Sequence, residues 1–298
     1  MSGHGQAQRQ LQRFAPSRAR QRSDRLARGF ILAATVIALI PLVLILYYLL
    51  SKGLSSWSPS FFTTDPTGNT FFAKASIGGI KSAILGTIEI VALASAISIP
   101  AGIGVAVWLV EYGGERLAAH LVRFFVDVLT GVPSIVFGLF IYIALIVGTG
   151  SSYAGYKGSL ALSLLMLPVV IRSAEVVLQL VPGALREAAL ALGAPRWRVI
   201  FSVVLPTALP GMVTGVLLAI ARAAGETAPL LFTAAATFKT DFNLGQFMNS
   251  LPVQIYNDVT SPTTSVVNRA WGAALTLVTM ILILNLLARL VSRRSRLA

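Results

Sequence analysis

Six long stretches of mostly apolar residues alternate with shorter polar and charged segments along the 298-residue chain. An α-helix rises 1.5 Å per residue, so about 20 apolar residues cross the hydrocarbon core of a bilayer. Each stretch is long enough to do so, and the pattern predicts an all-α polytopic membrane protein with six transmembrane helices. The expected spans are 29–50, 82–110, 124–148, 158–180, 207–236 and 268–291.

The composition agrees with this pattern and narrows the possible chemistry. Hydrophobic residues make up 55% of the chain and charged residues 12%, and the mean hydropathy is +0.77. A soluble domain this apolar could not cover its surface with polar atoms. Cysteine is absent, which excludes a disulfide framework, a thiolate metal site and a cysteine nucleophile.

The formal net charge of +13 is distributed unevenly, and this distribution predicts the orientation. Basic flanks of apolar spans mark cytoplasmic ends and contact anionic lipid, so membrane lipid rather than nucleic acid is the expected partner. Sixteen of the nineteen arginines lie in or beside alternate polar segments, and all five lysines lie on the opposite side. Both termini are therefore expected in the cytoplasm. The inner segments are 1–28, 111–123, 181–206 and 292–298.

The same pattern divides the chain into regions. The Gln-, Arg- and Ser-rich start has the composition of a disordered tail. A first span with its outer loop precedes a core of five spans, which contains one long inner loop at 181–206, and a short basic tail follows. The expected bounds are 1–28 for the first tail, 29–81, 82–291 for the core and 292–298.

Two pairs of opposite charges lie inside predicted spans. Arg172 and Glu175 are three residues apart, and Arg222 and Glu226 are four apart, so each pair shares a helix face. By the span boundaries, both arginines lie well inside the hydrocarbon slab, where charge usually faces a cavity or pairs. An arginine facing a cavity can hold a tetrahedral oxyanion by bidentate hydrogen bonds. The alternative for each pair is a salt bridge that only orders the bundle.

Two further acidic residues lie within the predicted spans. Glu89 is a lone acid in the second span, which we expect to pair with one of these arginines or to face another subunit. Asp127 begins the third span and is expected at the membrane interface.

Motifs of catalysis are missing from the sequence. It contains no HExxH, no nucleophile elbow and no cluster with metal-ligand spacing. The nearest approach to a phosphate-binding loop, 150–155, is followed by Tyr156 where a Walker A sequence needs lysine. We therefore expect a transport subunit rather than an enzyme, with no cofactor of its own and with ATP and Mg²⁺ bound by a separate ATPase.

The inner loop carries the most specific motif, EAALALGAPRWRVIFSVVLP. It fits the pattern EAA, three residues, Gly, nine residues, an aliphatic residue, one residue, Leu-Pro, with valine where isoleucine is usual. This loop resembles the cytoplasmic coupling loop of the membrane subunits of bacterial ABC importers. The pattern positions are Glu187, Ala188, Ala189, Gly193, Val203, Leu205 and Pro206.

Other segments resemble one branch of these importers, the phosphate-specific ABC importer permeases. They are IPAGIGVAVWLVEYGG, TGVPSIVFGLF, LPVVIRSAEVVLQLVPGALREAALALGAPRW and RAAGETAPLLFTA, and the resemblance covers roughly residues 30–290. It implies the type I, MetI-like ABC permease fold, in which the loop around Glu187–Gly193 forms short helices seated in a groove of the ATPase. It also implies a phosphate path that includes Arg222 and Glu226. We add Thr227 beside them, and Arg172 and Glu175 from their charge spacing, as further candidates for that path.

The resemblance implies partners as well. A homologous sister permease would form the pore with this chain as a heterodimer, an ATPase homodimer would drive it, and a periplasmic or lipid-anchored phosphate-binding protein would deliver substrate. The bacterial plasma (inner) membrane is the implied location. Three alternatives stay open: an ABC permease for sulfate or molybdate, a passive anion channel or sensor, and, most remotely, an intramembrane enzyme.

Overall fold

The computed structural model describes residues 18–67 and 78–294, and these residues are almost entirely helical. We number the helices α1 to α12. Three π-helical turns extend or join them, at Trp108–Gly113 after α3, Tyr142–Val147 after α5, and Ile200–Val204 between α8 and α9. The helices are α1 Arg18–Ser56, α2 Pro59–Thr63, α3 Lys81–Val107, α4 Leu117–Gly131, α5 Ser134–Ile141, α6 Gly155–Gln179, α7 Gly183–Ala191, α8 Arg196–Val199, α9 Leu205–Ala224, α10 Ala228–Leu231, α11 Leu251–Val259 and α12 Thr264–Arg294.

Five helical segments of the described chain are long and apolar enough to cross a membrane, and a bent pair makes a sixth if it counts as one span. The five are Arg22–Ser56, Lys81–Gly113, Gly155–Gln179, Arg196–Ala224 and Thr264–Leu286. The sequence prediction of an all-α multi-pass membrane protein is confirmed, but the third and fifth predicted spans differ from the structure in more than the exact position of their ends.

The predicted third span, 124–148, is wrong as a single helix. The chain there forms α4 and α5, which meet at a bend of 101°. Val132 has extended backbone angles of φ −72° and ψ 130° and precedes Pro133. A residue before proline is driven out of the helical region by the proline ring, so the helix ends there and restarts afterwards.

The predicted fifth span, 207–236, is shifted in the structure. Its helix starts earlier, at Arg196, and ends at Ala224, after which Gly225 to Thr227 separate α9 from the short α10. The π-helical turn before Pro206 carries the helix through a region where the sequence predicts a loop. Pro229 lacks an amide hydrogen and Gly225 is a poor helix former, so the helix does not continue to 236.

The chain separates into two units, Met1–Ser51 and Lys52–Ala298. The first unit contains most of α1, which begins at Arg18, so the predicted disordered tail is wrong from that residue onward; residues 1–17 lie outside the described part. An ion pair of 2.7 Å between Arg28 and Asp24, four residues apart, supports this extended helix. At the other end α12 continues to Arg294, and the rest of the predicted tail lies outside the described residues.

In the second unit, α6 is the central helix. Met166, Val170 and Leu178 on it have no exposed surface, and they pack into clusters with α3 and α9. Glycines permit these close contacts: a Cβ on Gly102 of α3 would lie 2.7 Å from Val170 Cγ1, and one on Gly215 of α9 would lie 2.3 Å from Ser173 Cβ. Small residues let membrane helices approach closely, so α3 and α9 lie directly against α6.

Candidate functional site: two arginine sites and a coupling segment

The charged pair on α6 belongs to a larger group of four side chains, which we call the α4–α6 network: Arg123 and Asp127 of α4, and Arg172 and Glu175 of α6. Arg172 Nη1 donates a hydrogen bond of 2.9 Å to Glu175 Oε2. Its Nε donates one of 2.9 Å to Asp127 Oδ1, which also accepts from Nη2. Arg123 Nε donates to Glu175 Oε1 at 2.7 Å, and its Nη2 donates to the carbonyl of Leu109.

The network is electrically neutral and closely bonded. Two guanidinium groups share two carboxylates, and the Glu175 side chain is only 3% exposed. Burying a carboxylate costs several kcal/mol unless charged partners surround it, so Glu175 requires both arginines. Arg172 has its hydrogen-bonding edge occupied by two carboxylates, and the network joins α4 to α6.

Sequence reasoning found half of this network. The Arg172–Glu175 pair is confirmed as an ion pair. Asp127 also pairs with Arg172 while its side chain is 57% exposed, and its location at the interface stays a prediction. Arg123 was not predicted as a partner, although its spacing of four residues from Asp127 places both on one face of α4. That spacing indicated a charged face on α4, but Arg123 was placed in an inner polar segment and was not considered as a partner.

The second pair, Arg222 and Glu226, has a different environment. Arg222 Nε and Glu226 Oε1 are 3.7 Å apart, which is an ion pair without a hydrogen bond. The Arg222 side chain is 49% exposed and that of Glu226 is 17% exposed. This guanidinium is therefore held by one acid at long range, and much of its surface is accessible.

The position of this pair also differs from the prediction. Arg222 lies in the last turn of α9, and Glu226 and Thr227 lie in the non-helical residues between α9 and α10. The predicted continuous helix past Arg222 is wrong, because α9 ends at Ala224, whereas the depth of Arg222 inside the membrane stays a prediction. Glu226 and Thr227 are both partly buried.

The short helix α10, which follows the non-helical residues after α9, is packed against α5 and α6. A Cβ on Gly138 of α5 would lie 2.6 Å from Pro229 Cα, and one on Gly158 of α6 would lie 3.0 Å from Leu230. Irregular backbone at membrane depth is tolerated only where protein surrounds it or where it lines a cavity. The half-exposed guanidinium of Arg222, which lies beside this break, can hold an oxyanion through charge-assisted hydrogen bonds.

Glu89 does not fulfil its predicted pairing with an intramembrane arginine. Arg172 and Arg222 pair with other acids, and Glu89 Oε2 is buried with no hydrogen-bond partner among the described residues. Its alternative assignment, a contact with another subunit, stays a prediction.

The residues of the predicted coupling loop form a separate segment of short helices. Gly193 follows α7 with a φ of +80°, a left-handed conformation that glycine adopts without strain, and α8 begins three residues later. Glu187, Ala188 and Gly193 are exposed, and Ala189 is partly buried. Leu205 and Pro206 form the first turn of α9. The segment thus presents an exposed surface at the end of the bundle where α6 ends.

Comparison with known proteins identifies the family. A family model described as the binding-protein-dependent transport system inner membrane component matches residues 98–297, about two thirds of the chain. The chain belongs to this family. The matched part contains the last ten residues of α3 and all of α4 to α12, and therefore both arginine sites and the coupling segment.

Curated relatives match over nearly the whole chain. The phosphate transport system permease protein PstA 1 of Mycobacterium tuberculosis is 40% identical over 292 residues, which cover 95% of this chain and 94% of the relative. PstA of Yersinia pestis is 39% identical over 278 residues, covering 93% and 92%. This family member is thus similar along its length to proteins named as phosphate permeases.

Solved structures share the fold. The MetNI methionine ABC transporter, in an inward-facing conformation, aligns with a TM-score of 0.56 at 21% identity, covering 73% of this chain and 94% of that chain. A bacterial alginate ABC transporter in complex with a periplasmic protein aligns with a TM-score of 0.63 at 15% identity, covering 92% and 96%. At these identities the likeness concerns the fold alone, and it confirms the MetI-like ABC permease architecture predicted from the sequence.

Proposed function

We propose that this chain is the transmembrane permease subunit of an ATP-driven importer of inorganic phosphate. The observation that carries the proposal is the half-exposed Arg222, held loosely by Glu226 at a helix break. Relatives that are 39–40% identical over more than 90% of the chain are named as phosphate permeases, which supports phosphate as the oxyanion.

The two arginine sites have different tasks in this proposal. Arg222, with Glu226 and Thr227 beside it, contacts phosphate on its path. Glu226 competes with phosphate for the guanidinium, so the anion is bound but also released, as transport requires. Arg172 and Glu175 lie beside that path and hold α4 against α6, because their charges already satisfy one another.

The energy for transport comes from a partner chain. An ATPase homodimer binds ATP and Mg²⁺ and contacts the coupling segment through Glu187, Ala188, Ala189 and Gly193. Its closure moves α7 and α8, and the motion reaches the membrane helices through Leu205 and Pro206 at the start of α9. Transport then follows from different contacts with phosphate in the inward-open and outward-open states.

A heterodimer with a homologous sister permease completes the pore, and a periplasmic or lipid-anchored phosphate-binding protein delivers the substrate. The protein lies in the bacterial plasma membrane with both termini in the cytoplasm, as the arginine distribution favours. In this orientation the coupling segment and the end of α6 lie on the cytoplasmic side.

The proposal is tested by ATP-dependent uptake of labelled phosphate into vesicles that contain this chain and its copurifying partners. We expect uptake by the wild-type complex and strong competition by unlabelled phosphate, but weak competition by sulfate or molybdate. An ATP-active complex that carries sulfate or molybdate in preference to phosphate would contradict the proposal.

The coupling segment allows a separate test of ATPase docking. Gly193→Asp adds a negative charge to an exposed surface and places a side chain on a backbone with a φ of +80°, a conformation that aspartate adopts less readily than glycine. We expect less ATPase to copurify with this variant. Gly183→Asp is the matched control, since Gly183 is exposed at the start of α7 without a left-handed φ. Equal copurification by both variants would contradict the role of Gly193.

A further inference from the structure

The helix α7 makes few buried contacts with the rest of the protein. Seven of its nine residues are exposed, and only Arg186 and Ala189 are partly buried. Ala189 packs at the edge of an apolar cluster that contains Leu178 and Val204. Arg186 and Ala189 are therefore the two side chains through which α7 packs against the membrane helices, and Arg186 carries a charge.

Arg186 contacts two different membrane helices. Its Nε donates a hydrogen bond of 3.0 Å to Glu111 Oε1, at the π-helical end of α3. Its Nη1 donates to the carbonyl of Val181 at 2.6 Å, and its Nη2 donates to the carbonyl of Leu178 at 2.9 Å, in the last turn of α6. The guanidinium thus connects α7 to the ends of both α3 and α6.

The environment of this contact makes it stronger than a surface salt bridge. The Arg186 and Glu111 side chains are 21% and 14% exposed. A shielded pair is screened less by salt than an exposed one, and removal of one partner leaves the other charge poorly solvated. The carbonyls of Leu178 and Val181 lie at the carboxyl end of α6, where a cation also interacts favourably with the helix dipole.

We propose that Arg186 is the positioning residue through which α7 moves α3 and α6 as one body, with Glu111 as its anionic anchor. We call this contact the Arg186 strut. The EAA pattern does not include either residue. The strut deepens the proposed function because it assigns the route from the coupling segment to α3 and to α6, and α6 carries part of the α4–α6 network. Without the strut, α7 can move while α3 stays in place.

The first test compares transport with ATP hydrolysis in the assembled complex. We expect Arg186→Ala to lower the amount of phosphate moved per ATP hydrolysed by about tenfold, a coupling effect within the range usual for distant sites. Arg186→Lys retains the charge but only part of the hydrogen bonding, so we expect an intermediate ratio. The control is Arg116→Ala, because Arg116 is exposed and has no ion pair among the described residues.

A double-mutant cycle shows whether the two residues act through each other. Glu111→Ala alone is expected to lower the transport ratio about as much as Arg186→Ala, and the double variant is expected to be no worse than either single one. Independent effects that multiply in the double variant would overturn the pairing, as would an unchanged ratio in Arg186→Ala.

A direct readout of motion covers the case in which the alanine variants fail to assemble. The chain contains no cysteine, so spin labels can be placed on Ala184→Cys and Glu115→Cys. Ala184 is exposed on α7, and Glu115 is exposed two residues after the π-helical turn that extends α3. We expect the label separation to stay constant between the nucleotide-free and ATP-bound complex. It is expected to change in the mild variant Glu111→Gln.

The outcomes distinguish a failure of the strut proposal from a failure of the proposed function. A separation that changes with ATP in the wild-type background would overturn the strut, whatever the complex transports. Absence of phosphate uptake by the wild-type complex would instead overturn the proposed function, while the label measurement, which needs only ATP binding, would still test the strut.

Discussion

The two arginine sites, on α6 and on α9, look alike in sequence and differ in structure. Each has an arginine followed by glutamate within one helical turn. Arg172 is hydrogen-bonded to two carboxylates and its helix continues past it, whereas Arg222 has one acid 3.7 Å away and its helix ends two residues later. The difference shows that charges from a neighbouring helix, not local spacing, decide whether an intramembrane arginine is available to a ligand.

The largest effect is expected from Arg222→Ala. Loss of a charged contact to a bound anion costs about 2–5 kcal/mol, and each 1.4 kcal/mol is a factor of ten, so phosphate uptake should fall about 100-fold or more. The variant should still assemble with its partners and should melt close to the wild-type temperature, because Arg222 has no hydrogen-bonded acid. Normal uptake by Arg222→Ala would place this residue outside the phosphate path.

Arg172→Ala should lower the stability of the complex more than its phosphate uptake, the reverse of Arg222→Ala. It removes hydrogen bonds to both carboxylates and leaves Glu175, which is 3% exposed, with Arg123 as its only cation. We expect destabilisation of about 3 kcal/mol, measured as a lower melting temperature of the purified complex. Uptake per correctly assembled complex should fall less than in Arg222→Ala. A melting temperature equal to wild type combined with lost uptake would make Arg172 a ligand contact instead.

A smaller effect is expected from Glu226→Gln, which removes the carboxylate that competes with phosphate for Arg222. The anion should bind more tightly and leave more slowly, so the apparent KM for phosphate uptake should fall several-fold and the maximal rate should fall with it. Initial-rate measurements over a range of phosphate concentrations separate these parameters. A raised KM would show that Glu226 supports phosphate binding rather than opposing it.

The smallest effect is expected from Asp127→Asn. Asp127 is 57% exposed and is the outer member of the α4–α6 network. Exposed ion pairs contribute about 0–1 kcal/mol, and asparagine still accepts a hydrogen bond from Arg172, so the melting temperature should change little. Glu175→Gln, at the buried end of the same network, is the matched comparison and should be clearly less stable. Equal stability of the two variants would contradict the assignment of Glu175 as the core of the network.

The fold was largely predictable because apolar runs of about 20 residues have few other structures open to them in a membrane. The positions where these helices bend or end were harder to predict. Pro133 was visible in the sequence, but membrane helices often tolerate proline, so the bend of 101° depends on how α4 and α5 pack. The end of α9 at Ala224 likewise depends on the packing of α10 against Gly138 and Gly158.

The candidate site was predictable only in its local part. Spacing identified the pairs Arg172–Glu175 and Arg222–Glu226, and the EAA pattern identified the coupling segment. Contacts between distant parts of the chain were not visible: Arg123 lies 52 residues from Glu175, and Arg186 lies 75 residues from Glu111. Lys157 was assigned to an outer loop, yet it is only 1% exposed and donates hydrogen bonds to Ser151 and Ser152.

The most direct test asks whether phosphate uptake needs a positive charge at position 222. Because the chain has no cysteine, Arg222→Cys can be treated in the assembled complex with a thiol reagent that adds an aminoethyl group or with one that adds a neutral methyl group. Treatment of the unmutated complex controls for cysteines on partner chains. We expect the cationic reagent to restore part of the lost phosphate uptake and the neutral reagent to restore none. Equal uptake after both treatments would contradict a direct role for the charge of Arg222.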